Sequence, residues 1–146
     1  MKSPHLLRVT ASPDRFAPLI AAARALDLRV GWLDLLAPDA GPDPLPPALA
    51  SAADLGVLRA VAVGEGRAVS VKPRRGQPVL KDLLREHFLG CALVLVRGEV
   101  DAPALEPEDD GWRLLLAGNA TRRLTTAGLA ESLRKPHPWG ADTVSP

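Results

Sequence analysis

The sequence predicts an α/β fold: a single domain over residues 1–135 with a mixed sheet, parallel core strands, one β-hairpin and about four helices, in a Rossmann-like three-layer or two-layer arrangement. A proline-rich tail follows at 136–146. Three observations carry this reading. Strand-like and helix-like apolar patterns alternate from the amino terminus onward, as βαβ units do. One run, Cys91–Arg97 (CALVLVR), is apolar without alternation, the pattern of a strand buried on both faces. Two Val-rich runs flank Gly64-Glu65-Gly66, which supplies the backbone freedom of a tight turn. At 146 residues and 47% hydrophobic, the chain is long enough for one real core. Aromatics are only 3%, so Leu, Val and Ala must fill it.

The elements follow in order. His5–Thr10 reads as a strand. Ser12-Pro13-Asp14 supplies an N-cap, a proline at the first helical position and an acid in the first turn. Phe16, Leu19, Ile20, Ala23 and Leu26 at helical spacing then predict a helix over Asp14–Leu26, distorted early by Pro18. Leu28–Leu36 is the second strand, and the proline-bearing loop after it closes a βαβ unit. A short helix over Leu45–Asp54 begins around Pro46-Pro47. In the hairpin, Val61, Val63, Val69 and Val71 are expected on one face. Ala60, Ala62, Ala68 and Ser70 are expected on the other, beneath a closely packed helix. Pro78 opens the third helix, whose stripe is Leu80, Leu83, Leu84 and Phe88 and whose stop is Gly90. After Cys91–Arg97, Glu99–Asp110 reads as an acidic solvated loop and Trp112–Ala117 as the last strand. Thr125 or Thr126 caps a final helix to about Arg134. Pro136 and Pro138 then force an extended tail, and Trp139 is expected to dock on its own domain across the sheet edge.

Several function classes are excluded by what is missing. The longest apolar run, Phe88–Val96, is about half the length of a spanning helix. Pro4 and Arg8 interrupt the run a signal peptide needs, so a cytoplasmic protein without membrane association is expected. The single Cys91 excludes an internal disulfide and reads as an unreactive core thiol. His5, His87 and His137 lack metal-ligand spacing, and the acids near Glu106 lack that of an EF-hand, so no metal is expected. No cofactor is expected either. G-x-G-x-x-G and the Walker spacing are absent, and Pro13 stands where a backbone would face a pyrophosphate, although Asp34 could meet a ribose. No nucleophile, base and orienter appear together, which argues against an enzyme.

Net charge is +1, against a general nucleic-acid binder, yet the charge is unevenly spread. Arg67–Arg85 holds six cations against Asp82 alone, and Glu99–Asp110 holds six acids and no base. A helix start attracts anions through its unpaired N–H groups. Lys72, Arg74, Arg75 and Gly76 precede one, and Arg122 and Arg123 precede another. The first expectation is therefore a small binding domain for a phosphate-bearing ligand, a nucleotide or a nucleic-acid backbone, held by these six residues. The alternative is a protein–protein interaction or assembly module, which a large apolar surface patch would favour. A third is an enzyme with a Rossmann-like core using Ser12, Asp14 or Asp34, which a deep pocket would favour. An uncovered edge strand would make a homodimer easy to form.

Overall fold

A computed structural model describes residues 3–36, 45–72, 74, 76 and 79–139. The chain runs β1 (His5–Val9), α1 (Ala17–Ala25), β2 (Val30–Asp34), α2 (Pro47–Asp54), β3 (Ala60–Gly64), β4 (Arg67–Val71), α3 (Leu80–His87), β5 (Leu93–Arg97), β6 (Ala104–Glu108), β7 (Gly111–Leu115), β8 (Thr121–Leu124) and α4 (Thr126–Ser132). The predicted α/β class is what forms. Among the described residues there are four helices, a six-stranded mixed sheet with parallel core strands, and a separate antiparallel hairpin. Contacts gather in two compact units, Met1–Ala37 with Leu80–Pro146, and Pro38–Val79.

In the first unit the strand order is β2-β5-β1-β6-β7-β8. β5 pairs in parallel with β1 and β2, setting Leu95 opposite both Leu7 and Trp32. Leu93, Val94, Leu95 and Val96 are all 0% exposed, so successive residues are covered on both faces, as the unbroken apolar run predicts. α1 packs against α4 on one face, where Phe16 stacks on Trp112 (centroids 5.6 Å) and tilts against Trp32 (5.8 Å). The opposite face meets Phe88, just beyond α3. A Cβ on Gly31 of β2 would stand 2.5 Å from the Phe88 ring, so glycine there makes room for it.

Local chemistry explains the boundaries, and corrects three expectations. Pro13 starts a 3-10 turn over Pro13–Phe16, and Phe16 leaves helical geometry before α1 restarts with Pro18 in its first turn, where a missing N–H costs nothing. Ser12 makes no capping bond; its hydroxyl donates to the Asp14 carboxylate instead. Thr125 does cap α4, its Oγ1 accepting from the Gly128 N–H at 2.9 Å. Second, the acidic segment Glu99–Asp110 is not all loop, because Ala104–Glu108 is β6, joined to β7 through Asp109-Asp110. That two-residue loop makes Glu108 and Gly111 the hydrogen-bonded pair, so Pro107, opposite Trp112, falls at a position that owes β7 no N–H. Third, Arg122 and Arg123 lie on edge strand β8 rather than in a loop before a helix.

Trp139 is buried, its ring meeting the edge of His5 at 5.6 Å. His5 Nε2 lies 3.2 Å from the Leu133 carbonyl oxygen. The indole thus docks at the start of the interior strand β1, not at the sheet edge. Pro78, expected to open α3, lies outside the described residues, as does the end of the tail.

The second unit contains α2 and the β3–β4 hairpin, with α2 against both strands. The loop is Glu65-Gly66, and Gly66 takes φ +83°, which glycine adopts at no steric cost. Gly64 faces Arg67, which sets Ala60 opposite Val71, Ala62 opposite Val69, Val61 opposite Ser70 and Val63 opposite Ala68. Directly opposed residues share a face. The expected all-valine face is therefore corrected: one face carries Ala60, Ala62, Val69 and Val71, the other Val61, Val63, Ala68 and Ser70.

Leu95→Ala should be among the most damaging single changes. The site is enclosed on both faces and cannot collapse freely, so a loss of roughly 2–5 kcal/mol is expected. Urea denaturation followed by circular dichroism checks this; an unchanged midpoint would mean that β5 is not the centre of the core.

Candidate functional site

The three places singled out by the sequence have different fates. Of the cation run, Lys72 is half-buried, Arg74 is exposed and Gly76 takes φ +69° with nothing near its missing Cβ. Arg75 lies outside the described residues. Lys72, Arg74 and Gly76 belong to the hairpin unit, whereas Arg122 and Arg123 belong to the sheet unit. Neighbours on a strand project to opposite faces, so Arg122 and Arg123 cannot both turn to one ligand on the same side of β8. Arg123 Nε stands 3.7 Å from Glu108 Oε1 across the antiparallel half of the sheet.

The carboxyl ends of the parallel strands, where α/β sheets hold ligands, are occupied by an internal network. Arg97 grips Asp34 through two bonds, Nε to Oδ1 at 2.6 Å and Nη2 to Oδ2 at 3.2 Å. Trp32 Nε1 donates to Oδ2 at 3.1 Å, and the Arg97 guanidinium lies 5.4 Å over the Trp32 ring. Desolvation alone would raise the Asp34 pKa, but the hydrogen bonds from Arg97 and Trp32, with the Arg97 charge, hold it below its ordinary value. A carboxylate so engaged is a poor free acceptor for a ribose hydroxyl. Beside it lies an open cleft of about 470 Å³, bordered by Arg8, Thr10, Gly98, Glu99 and Glu106. Of its two carboxylates, Glu106 is itself bonded to Arg113. Ser12 and Asp14 bond each other at the surface, and Ser12 is the largest cause lowering the Asp14 pKa. The lowered pKa makes the Asp14 carboxylate a weak base toward that hydroxyl.

Cys91 precedes β5 rather than lying in it and is partly exposed, which corrects the core-thiol reading. Desolvation pushes its pKa up, with the Arg29 charge opposing, so the thiolate is disfavoured. Among the described residues no group of three or more His, Cys, Asp or Glu is placed to hold a metal ion, and no helix is long and apolar enough to cross a membrane.

The feature that the sequence reading missed is apolar and lies in the hairpin unit. Eight of the ten exposed large hydrophobics among the described residues fall between Leu45 and Val79. Leu58 is 91% exposed, Leu55 84% and Val63 79%, with Val61 beside it on the same hairpin face. The signal was present in the two-residue loop. Counting register outward from Gly64 and Arg67 separates Val61 and Val63 from Val69 and Val71, leaving a valine pair with no bulky cross-strand partner.

No family model matches the chain, and no curated protein matches it in sequence.

Asp34→Asn should lower the unfolding midpoint modestly near neutral pH, since an exposed pair is worth roughly 0.2–1 kcal/mol. A depressed folded-state pKa contributes stability above the unfolded value, near 4, and loses it as pH falls through the folded value. The gap between wild type and variant should accordingly close in acid. A gap that widens below pH 4 contradicts the network described.

Proposed function

We propose that this chain is a binding module acting through protein–protein association, with the hairpin unit as its contact element. The observation that carries the reading is the concentration of exposed Leu and Val in residues 45–79, while among the described residues of the sheet unit only Leu36 and Leu89 are large apolar side chains left exposed. Scattered apolar residues need no explanation, but a group gathered on one small unit marks an interaction surface. The strand ends that could serve catalysis support it less, since Asp34 and Glu106 are already bonded to arginines. Replacing both Val61 and Val63 by Asp checks the reading. These positions are exposed, so at dilutions where wild type is unassociated the thermal midpoint should hardly move, while the chains held by immobilised wild type, its own copies included, should be lost from the variant. Identical sets held by both would overturn it.

A second reading keeps a phosphate-bearing ligand at Lys72, Arg74 and Arg75. Its support is the left-handed backbone of Gly76 beside these cations, which allows close approach of an anion. Arg74→Ala with Arg75→Ala should leave stability nearly unchanged and weaken binding of pyrophosphate or single-stranded RNA, with a shallower salt dependence. Absence of salt-sensitive binding by the wild type would dispose of this reading.

A further inference from the structure

We infer that the hairpin's partner is a second copy of this chain, joined edge to edge through β3 in an antiparallel register centred on Ala62; this rests on the association reading above. The backbone comes first. The two-residue loop makes Gly64 and Arg67 a hydrogen-bonded pair, and the alternation then gives Ala62 with Val69 and Ala60 with Val71. The N–H and C=O groups of Ala60, Ala62 and Gly64 are therefore spent on β4. Those of Val61 and Val63 point away from it, along an edge to which no described strand is bonded. A twofold axis at Ala62 sets Val61 of one copy against Val63 of the other, twice. Both residues present outward-pointing groups, so each pair closes two N–H···O bonds and the two hairpins become one four-stranded sheet.

The charges select the same register. A pairing centred on Ala62 places Arg59 opposite Glu65 of the second copy, and Glu65 opposite Arg59. Both residues are exposed. Between them β3 carries no charged residue and no proline, the devices that normally protect an edge. The other edges fit a second copy less well. β4 begins with Arg67, and a pairing about Val69 sets it opposite Val71 of the second copy, with no acid to meet it. β8 paired on itself about Arg122 or Arg123 sets that arginine against its own copy, and β2 paired about Trp32 sets Asp34 against Val30. Among the described edge strands, only β3 offers free backbone groups, apolar side chains and complementary ends in one register. A symmetric contact of this kind is self-complementary and closes at two copies.

Sedimentation equilibrium of the full chain over a dilution series, with amide exchange by NMR, tests the inference. A reversible dimer is expected. The Val61 and Val63 amides should become protected as concentration rises, whereas Ala60, Ala62 and Gly64 are protected throughout. Arg59→Glu should raise the dimer Kd about tenfold, as two opposite-charge cross-strand pairs become like-charge pairs. Glu65→Arg should do the same, and the double variant Arg59→Glu with Glu65→Arg should recover wild-type affinity. Circular dichroism confirms that each variant is folded. A dimer that ignores these charges and leaves Val61 and Val63 unprotected overturns the β3 register. A chain that stays monomeric overturns the second copy as partner; the association reading then survives only if wild type holds a different protein that the Val61 and Val63 double variant does not.

Discussion

Leu93, Val94, Leu95 and Val96 fill the strand between β1 and β2, and none of the four retains contact with water. Such a strand requires side-chain cover on both faces and parallel partners at both edges, and parallel partners require long crossovers. The first, from β1 to β2, lays α1 on the sheet and carries Phe16 between Trp32 and Trp112. The second, from β2 back to β5, ends with α3 and Phe88, whose ring settles on Gly31. The entire hairpin unit lies within this second crossover. It is an insertion in chain order and gathers into a compact unit of its own.

That division shows why parts of the fold were legible in the sequence and parts were not. β5 announced itself because burial on both faces leaves no polar residue to confuse the pattern. α4 announced itself because Thr125 begins it with a side chain suited to satisfying a free N–H. β6 and β8 were hidden for the opposite reason. In β6 only Leu105 is fully buried, and Glu106, Pro107 and Glu108 make the rest read as solvated loop. Four residues with two arginines, TRRL, carry no apolar periodicity, yet β7 needs a partner and the Arg side chains discourage further pairing at that edge. The hairpin was read correctly as a hairpin and wrongly in its faces. Alternation within each strand was right, but the relation between strands depends on register, and register depends on loop length. As for the candidate site, composition pointed to the cations, whereas the apolar surface emerged only once register and exposure were known.

The charged residues of the sheet unit largely serve the sheet. Asp34 and Arg97 end adjacent parallel strands and face each other in register, so their bidentate contact ties β2 to β5 where the chain leaves the core. Glu106 and Arg113 do the same across β6 and β7, again in register. The uneven charge along the chain thus resolves partly into cross-strand pairs. An acidic run and scattered cations, each suggestive when read along the sequence, become neighbours when the strands align.

In the hairpin β3 carries no charged residue, so no such pair joins it to β4. A lone two-stranded hairpin is marginal in water and needs further strands or a packed helix to persist. Here α2 supplies a helix, but it is eight residues long and none of its side chains is fully buried. Among the unit's described residues, Ala60 and Val71 are the ones that lose most of their contact with water, and they oppose each other at the open end of the hairpin, far from the Glu65-Gly66 loop. Toward the loop, Val61 and Val63 remain exposed and the outward backbone groups of β3 meet no described strand. The least stabilised end of the hairpin is therefore also the end where backbone valence, apolar surface and the Glu65 charge coincide. Adding strands there would answer all three deficits at once, and association and local folding would then draw on the same free energy.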